Sequence, residues 1–265
     1  MDLPAQIRSG LQNQGLPPPS AAWIRTALPN RNPLPPLPAL LATVKTRFLA
    51  ADLTNPLLFD APSPALPPNS SNPEVREVKL TRDIPVQVLD IENLSTSKWD
   101  QVEALEAIVR GEQTRGREII RLPTGDEEDE LAIDDPATQA TVNGVERVRA
   151  HGRGGAAASA GAGTGAGALA VSKSSTHRLV LQDCKGQKLH GLELKRIDKI
   201  GVGTLNIGEK ILLKRGAILA RGTVLLEPAT CTILGGKIEA WQKDWVENRL
   251  ARLRQAVGAD SRNAR

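Results

Sequence analysis

Aromatic side chains are nearly missing from this chain, which has two Phe, four Trp and no Tyr in 265 residues. From His177 to Ala240 there is none at all. Barrels that hold single-stranded nucleic acid stack bases on aromatic rings, each contact contributing about 1–3 kcal/mol, so that mode of binding loses its platform here. Cysteine is equally scarce. Cys184 and Cys231 are the only two, too few for a disulfide framework and, with three histidines scattered at 151, 177 and 190, too few for a zinc site. They read as small hydrophobes near strand ends in a reduced compartment. No basic stretch followed by an apolar one opens the chain, and no unbroken apolar run approaches the roughly 20 residues that span a bilayer. The sequence predicts a soluble protein with no membrane partner.

Catalytic constellations are absent as well. Gly203-Thr204-Leu205-Asn206-Ile207-Gly208-Glu209-Lys210 has the outline of a phosphate loop, but Glu209 intrudes before the lysine and Ile211 stands where a Ser or Thr would hold magnesium. Gly201-Val202-Gly203 lacks the third glycine of a dinucleotide fingerprint. Ser95-Thr96-Ser97-Lys98 is a Ser-Lys spacing with no second motif of its class. The acids between Asp126 and Asp135 form a run in polar chain, which keeps them solvated and makes them poor general acids. The expectation is a protein that is not an enzyme and uses no metal or cofactor.

What the chain does have is punctuation, with 19 prolines and 23 glycines. Leu3, Ile7 and Leu11 recur at helical spacing before Pro17 to Pro19. Ser20 stands ready to cap a helix carrying Trp23, Ile24 and Leu28. Leu37, Leu40, Leu41, Val44 and Phe48 repeat the period, with Leu49 and Leu53 as its apolar tail. Residues 1–58 are therefore expected to form a three-helix unit that buries Trp23 and Phe48 and, being small, leans on its neighbour. Residues 59–76 read as a linker rich in Pro, Ser and Asn.

Residues 77–258 carry the signature of an OB-type Greek-key barrel. Glu77 to Leu94 supplies a long first strand in which Pro85 imposes a bend or an edge. Short apolar runs around Leu179 to Leu181, Leu189 to Leu194, Ile211 to Leu213 and Val224 to Leu226, set off by glycines, supply the rest. Residues 100–176 interrupt the barrel as an inserted loop. Asp100 to Ile120 leans toward helix, the acid run follows, and Arg153 to Ala170 is almost wholly Gly and Ala, which offers no core. Lys237 to Val257 reads as a closing helix whose Trp241 and Trp245 plug the barrel or pack on the N-terminal helices, with Gly258 as its stop and 259–265 as a tail. The fold class expected is α+β, mainly β: a three-helix unit packed on a five-stranded OB-type barrel, with a long insert after the first strand and a C-terminal helix.

The formal net charge is only +4. The stretch from Lys185 to Arg215 nevertheless holds eight Lys and Arg, enough to track a phosphate backbone weakly and with steep salt dependence. A single-stranded nucleic-acid-binding OB module is thus the rival to a barrel that docks a protein.

One order of blocks is specific: Leu179-Val180-Leu181-Gln182-Asp183, then Ile207-Gly208-Glu209-Lys210-Ile211-Leu212-Leu213, then Arg221-Gly222-Thr223-Val224-Leu225-Leu226-Glu227-Pro228, then Leu234-Gly235-Gly236. With Trp23 and Phe48-Leu49-Ala50-Ala51-Asp52-Leu53 upstream, the chain resembles the N-terminal region of the RecQ-mediated genome instability protein 1 family over nearly its whole length. The resemblance implies a non-catalytic, nuclear cofactor of topoisomerase III that works with a RecQ-family helicase to decatenate DNA and dissolve double Holliday junctions. It implies a barrel docked on the topoisomerase, an insert reaching toward the enzyme's DNA gate, and DNA contact that is weak or indirect. Lys210 falls on the lysine of the family's Gly-x-Lys motif on the docking side of the barrel; its alternative reading is an exposed charge at a strand end. Leu105, Ile108, Ile119 and Ile120 are the expected anchors of an ordered contact in the insert. Its acidic and Gly/Ala tracts match no family pattern, so only its position carries over.

Overall fold

A computed structural model describes residues 2–29, 33–112 and 175–263. Ile119, Ile120, His151, the acid run and the Gly/Ala tract lie outside the described residues.

Three helices open the chain: α1 (Leu3–Asn13), α2 (Ala21–Ala27) and α3 (Leu37–Ala50). Pro4 and Pro38 sit in the first turns of α1 and α3, where a missing N–H costs nothing. Ser20 caps α2: its Oγ accepts the Trp23 N–H at 3.0 Å and donates to the Leu57 carbonyl at 2.5 Å. Ile7 and Leu11, Trp23 and Ile24, and Leu40, Val44 and Phe48 close one core with Leu53 and Leu58. Phe48 meets Trp23 and Phe59 edge-on, with ring centres 6.1 and 6.2 Å apart, the approach the aromatic quadrupole favours.

The barrel is one curled sheet. Its strands are β1 (Val78–Lys79), β2 (Ile84–Asn93), β3 (His177–Gln182), β4 (Lys188–Glu193), β5 (Lys210–Leu213), β6 (Ile218–Ala220), β7 (Thr223–Leu226) and β8 (Cys231–Gly235), in the order β1-β6-β7-β4-β3-β2-β5-β8. All described pairings are antiparallel except β4 with β7. Because β1 and β2 belong to the same stretch of chain, an order that begins at one and passes through the other returns on itself. Val86, Val88, Leu179, Leu181, Ile211, Leu213, Val224 and Leu226 fill the interior with no exposed surface. Gly191 gives them room, since a Cβ there would stand 3.1 Å from both Leu181 and Leu226.

The structure refines four sequence expectations. The five barrel strands are built from eight segments, and the first is cut: the chain turns between β1 and β2 and shifts register between Val88 and Asp90. Pro85 pairs with β5, while β3 joins β2 only from Gln87 onward, so the proline stands where β2 has one neighbour. The segment read as a linker is strapped to the barrel, with Leu66 in the barrel core and its N–H donating to Asp183 Oδ2 at 2.9 Å. Finally, α5 (Glu239–Asn263) runs through Gly258 rather than stopping there, and Trp241 and Trp245 pack on the barrel core, not on the N-terminal helices.

Candidate partner-docking site at the root of the insert

The insert leaves the barrel after β2 and returns at β3, and its two ends are fastened together. The Leu94 N–H donates to the Thr176 carbonyl, and the Thr176 N–H to Ser95 Oγ, both at 2.9 Å. On the outgoing side Ser97 Oγ accepts the Asp100 N–H at 3.0 Å and caps helix α4 (Lys98–Val109), so the Ser-Lys spacing noted in the sequence serves as a helix start. Gln101, 5% exposed, ties that helix down by donating to the carbonyls of Asn93 and Thr96. On the returning side His177 and Glu193 are buried 2.9 Å apart, and Glu193 also accepts the Ile197 N–H at 2.7 Å. Arg196 donates to the carbonyls of Ser175 and Ile200. The root is a fixed platform.

Helix α4 packs on α5. Arg254 of α5 donates twice to Glu106 Oε1, at 2.9 and 2.7 Å, and Arg110 lies 3.6 Å from the same carboxylate. The barrel fixes α5 in turn: Trp245 donates from Nε1 to Asp90 Oδ1 at 2.6 Å, with Arg249 and Arg252 over its ring. Between the helices lies a groove of about 470 Å³ lined by Trp99, Val102, Glu103, Glu106 and Arg110 with Arg254 and Val257. Trp99 is 63% exposed on its lip and Val109 is 76% exposed at the helix end. A tryptophan left in water beside a groove is the kind of feature that marks a protein-binding surface, since such rings are enriched among the residues that anchor interfaces.

The expected site residues are placed unevenly. Leu105 and Ile108 do lie on α4, half-buried. Ile119 and Ile120 fall outside the described residues. Lys210 is not an exposed charge at a strand end: β5 sets it opposite Gln87 on one side and Gly235 on the other, and its side chain has no exposed surface. Its ammonium donates to the Gly208 carbonyl at 2.5 Å. Burial pushes its pKa down to about 8, against the pull of Asp52 and Glu209. Burial likewise raises the Glu209 carboxyl, although Asn206 donates to it. Lys210 is thus buried beside the segment that follows α3, whose Asp52 carboxylate acts on its charge. Sequence reasoning missed Trp99, and the available signal was a lone indole in the first turn of a helix whose neighbours at 103 and 106 are acids.

The basic stretch is less continuous than it looked. Lys210 is buried, Lys195 pairs with Glu227 at 3.1 Å, and Arg196 is turned onto backbone carbonyls. No Phe, Trp or Tyr stands on any of the described barrel strands. Among the described residues no group of three or more His, Cys, Asp and Glu is placed to hold a metal ion, and no helix is long and apolar enough to cross a membrane.

Comparison with known proteins agrees with this architecture. The family model described as RMI1, N-terminal OB-fold domain, matches residues 66–249, and the model described as RMI1, N-terminal helical domain, matches residues 11–56. RecQ-mediated genome instability protein 1 of Schizosaccharomyces pombe is 28% identical over 177 residues, 67% of this chain and 65% of that protein. The match therefore spans a little under two thirds of that relative's length.

Proposed function

The chain belongs to the RMI1 family, and from that premise we propose that it is a non-catalytic scaffold of genome maintenance. In this reading it acts in the nucleus, binding topoisomerase III and working beside a RecQ-family helicase. It promotes decatenation and the dissolution of double Holliday junctions. The carrying observation is the root of the insert. A long segment springs from two ends hydrogen-bonded to each other, beside a helix that keeps Trp99 63% exposed over a groove.

A scaffold alters an enzyme's cycle only by binding one of its states better than another. A rigid root allows this, because energy gained where the insert meets the gate-open enzyme is not dissipated in the attachment. The insert then shifts the topoisomerase toward its open state and slows reclosure.

The test is a binding assay on the whole chain. Light scattering after gel filtration is expected to show a stoichiometric complex with topoisomerase III, and anisotropy little affinity for a single-stranded oligonucleotide by the chain alone. Tight, salt-sensitive oligonucleotide binding with no topoisomerase complex would instead establish the single-strand-binding module.

A further inference from the structure

We propose that the cleft between the helical unit and the barrel binds a linear peptide in which an aromatic residue stands beside Lys or Arg. The cleft measures about 500 Å³, within the range of ligand sites, and its walls come from α1, the turn after it, the 59–64 segment and the start of β2.

Its chemistry is set by proline. Pro17, Pro18, Pro62, Pro64 and Pro85 line it with Phe59. Proline has no N–H to offer, so these walls supply ring C–H groups and few donors. An aromatic guest suits them, because its electron-rich face accepts C–H contacts and it buries about 150–250 Å² on entry.

The walls are also held from both sides. The Ser20 N–H donates to the Leu58 carbonyl at 2.8 Å, Arg8 pairs with Asp60 at 2.8 Å, and Arg82 donates to the carbonyls of Ser63 and Ala65. A preformed cleft spends little of its binding energy on ordering itself.

Charge selects the neighbour of the aromatic residue. Of the three charged side chains in the lining, Arg8 and Asp60 neutralise each other. Asp83 accepts the Arg215 N–H on Oδ1 at 2.7 Å, and among the described residues no cationic side chain pairs with it. Asp83 is therefore the one lining carboxylate without an ion-pair partner among the described residues, and its charge at the rim complements Lys or Arg next to the inserted ring. The proposal is independent of the topoisomerase reading.

A phage-displayed random peptide library, selected on the immobilised whole chain, tests it. Enrichment of an aromatic residue next to Lys or Arg is expected. Synthetic versions of the selected peptides should lose affinity about tenfold or more with Ala61→Trp, which fills the cleft from an exposed position. Asp83→Asn keeps the acceptor for Arg215 and removes only the charge; it should weaken the peptides about three- to tenfold and flatten their salt dependence. No enriched motif, a motif lacking the aromatic-basic pair, or equal affinity for the parent and both variants would overturn the proposal.

Discussion

Gln87 of β2 donates from Nε2 to Asp52 Oδ1 at 2.7 Å, and the same side chain accepts the Leu53 N–H on Oε1 at 2.9 Å. One barrel residue thus holds the end of the helical unit from two directions. It also donates to Gln182 Oε1 at 3.1 Å and has no exposed surface.

Gln87→Ala removes those bonds and leaves the Leu53 N–H and a cavity in a buried junction. Stranding a donor and deleting buried volume together cost about 2–4 kcal/mol. Chemical denaturation of the variant should show that loss, and an unchanged midpoint would mean that the clamp contributes nothing to the joining of the two parts.

A second contact at the same junction separates two glycines. Gly236 has φ +89°, and an added Cβ would fall on the Leu49 carbonyl oxygen with the Leu49 Cβ 2.7 Å away. Gly216 has φ +92° and open space around it. Gly216→Ala should therefore cost only the backbone strain, about 1–2 kcal/mol, whereas Gly236→Ala should cost at least about 2 kcal/mol more because α3 must move. Parallel thermal melts of the two variants check the ranking.

Lys210 makes stability depend on pH in a definite direction. Its pKa falls from 10.5 in the free side chain to about 8 when folded, so between those values the unfolded chain binds more protons than the folded one. Unfolding free energy should then rise with pH across that window, by an amount on the order of 3 kcal/mol, while below about pH 8 the full cost of the buried charge is present. The rise should be missing from Lys210→Met. Denaturation of both proteins from pH 7 to the alkaline end provides the comparison, and parallel curves would contradict it.

The α4 surface should separate binding from folding. Trp99 and Val109 are exposed, so Trp99→Ala with Val109→Ser should change stability by no more than about 0.5 kcal/mol. Loss of an aromatic anchor at an interface costs about 2 kcal/mol or more, a thirtyfold fall in affinity for topoisomerase III. Titration calorimetry against the topoisomerase reads one quantity and a melting curve the other.

The helices and the barrel were legible because their signals are local. Leu40, Val44 and Phe48 repeat every turn and all point inward, Ser20 caps as its side chain predicts, and the alternating residues of β3 fill the interior. The burial of Lys210 was not legible because it is set by neighbours distant in sequence: Gln87 and Gly235 flank it, and Asp52 acts on its charge, only after the sheet curls. Gly258 misled for the opposite reason, since it has the local character of a stop but α5 continues through it. Trp99 carried no periodic signal because it faces a groove, and a groove exists only once α4 lies on α5.

The most direct test of the account is decatenation of linked DNA circles by topoisomerase III in the presence of a variant whose residues 113–174 are replaced by a short Gly/Ser link. The paired ends at Leu94, Ser95 and Thr176 and all of α4 remain in that variant. It should bind the topoisomerase and fail to stimulate the reaction. Full stimulation by the shortened chain would contradict the claim that the insert acts on the moving gate.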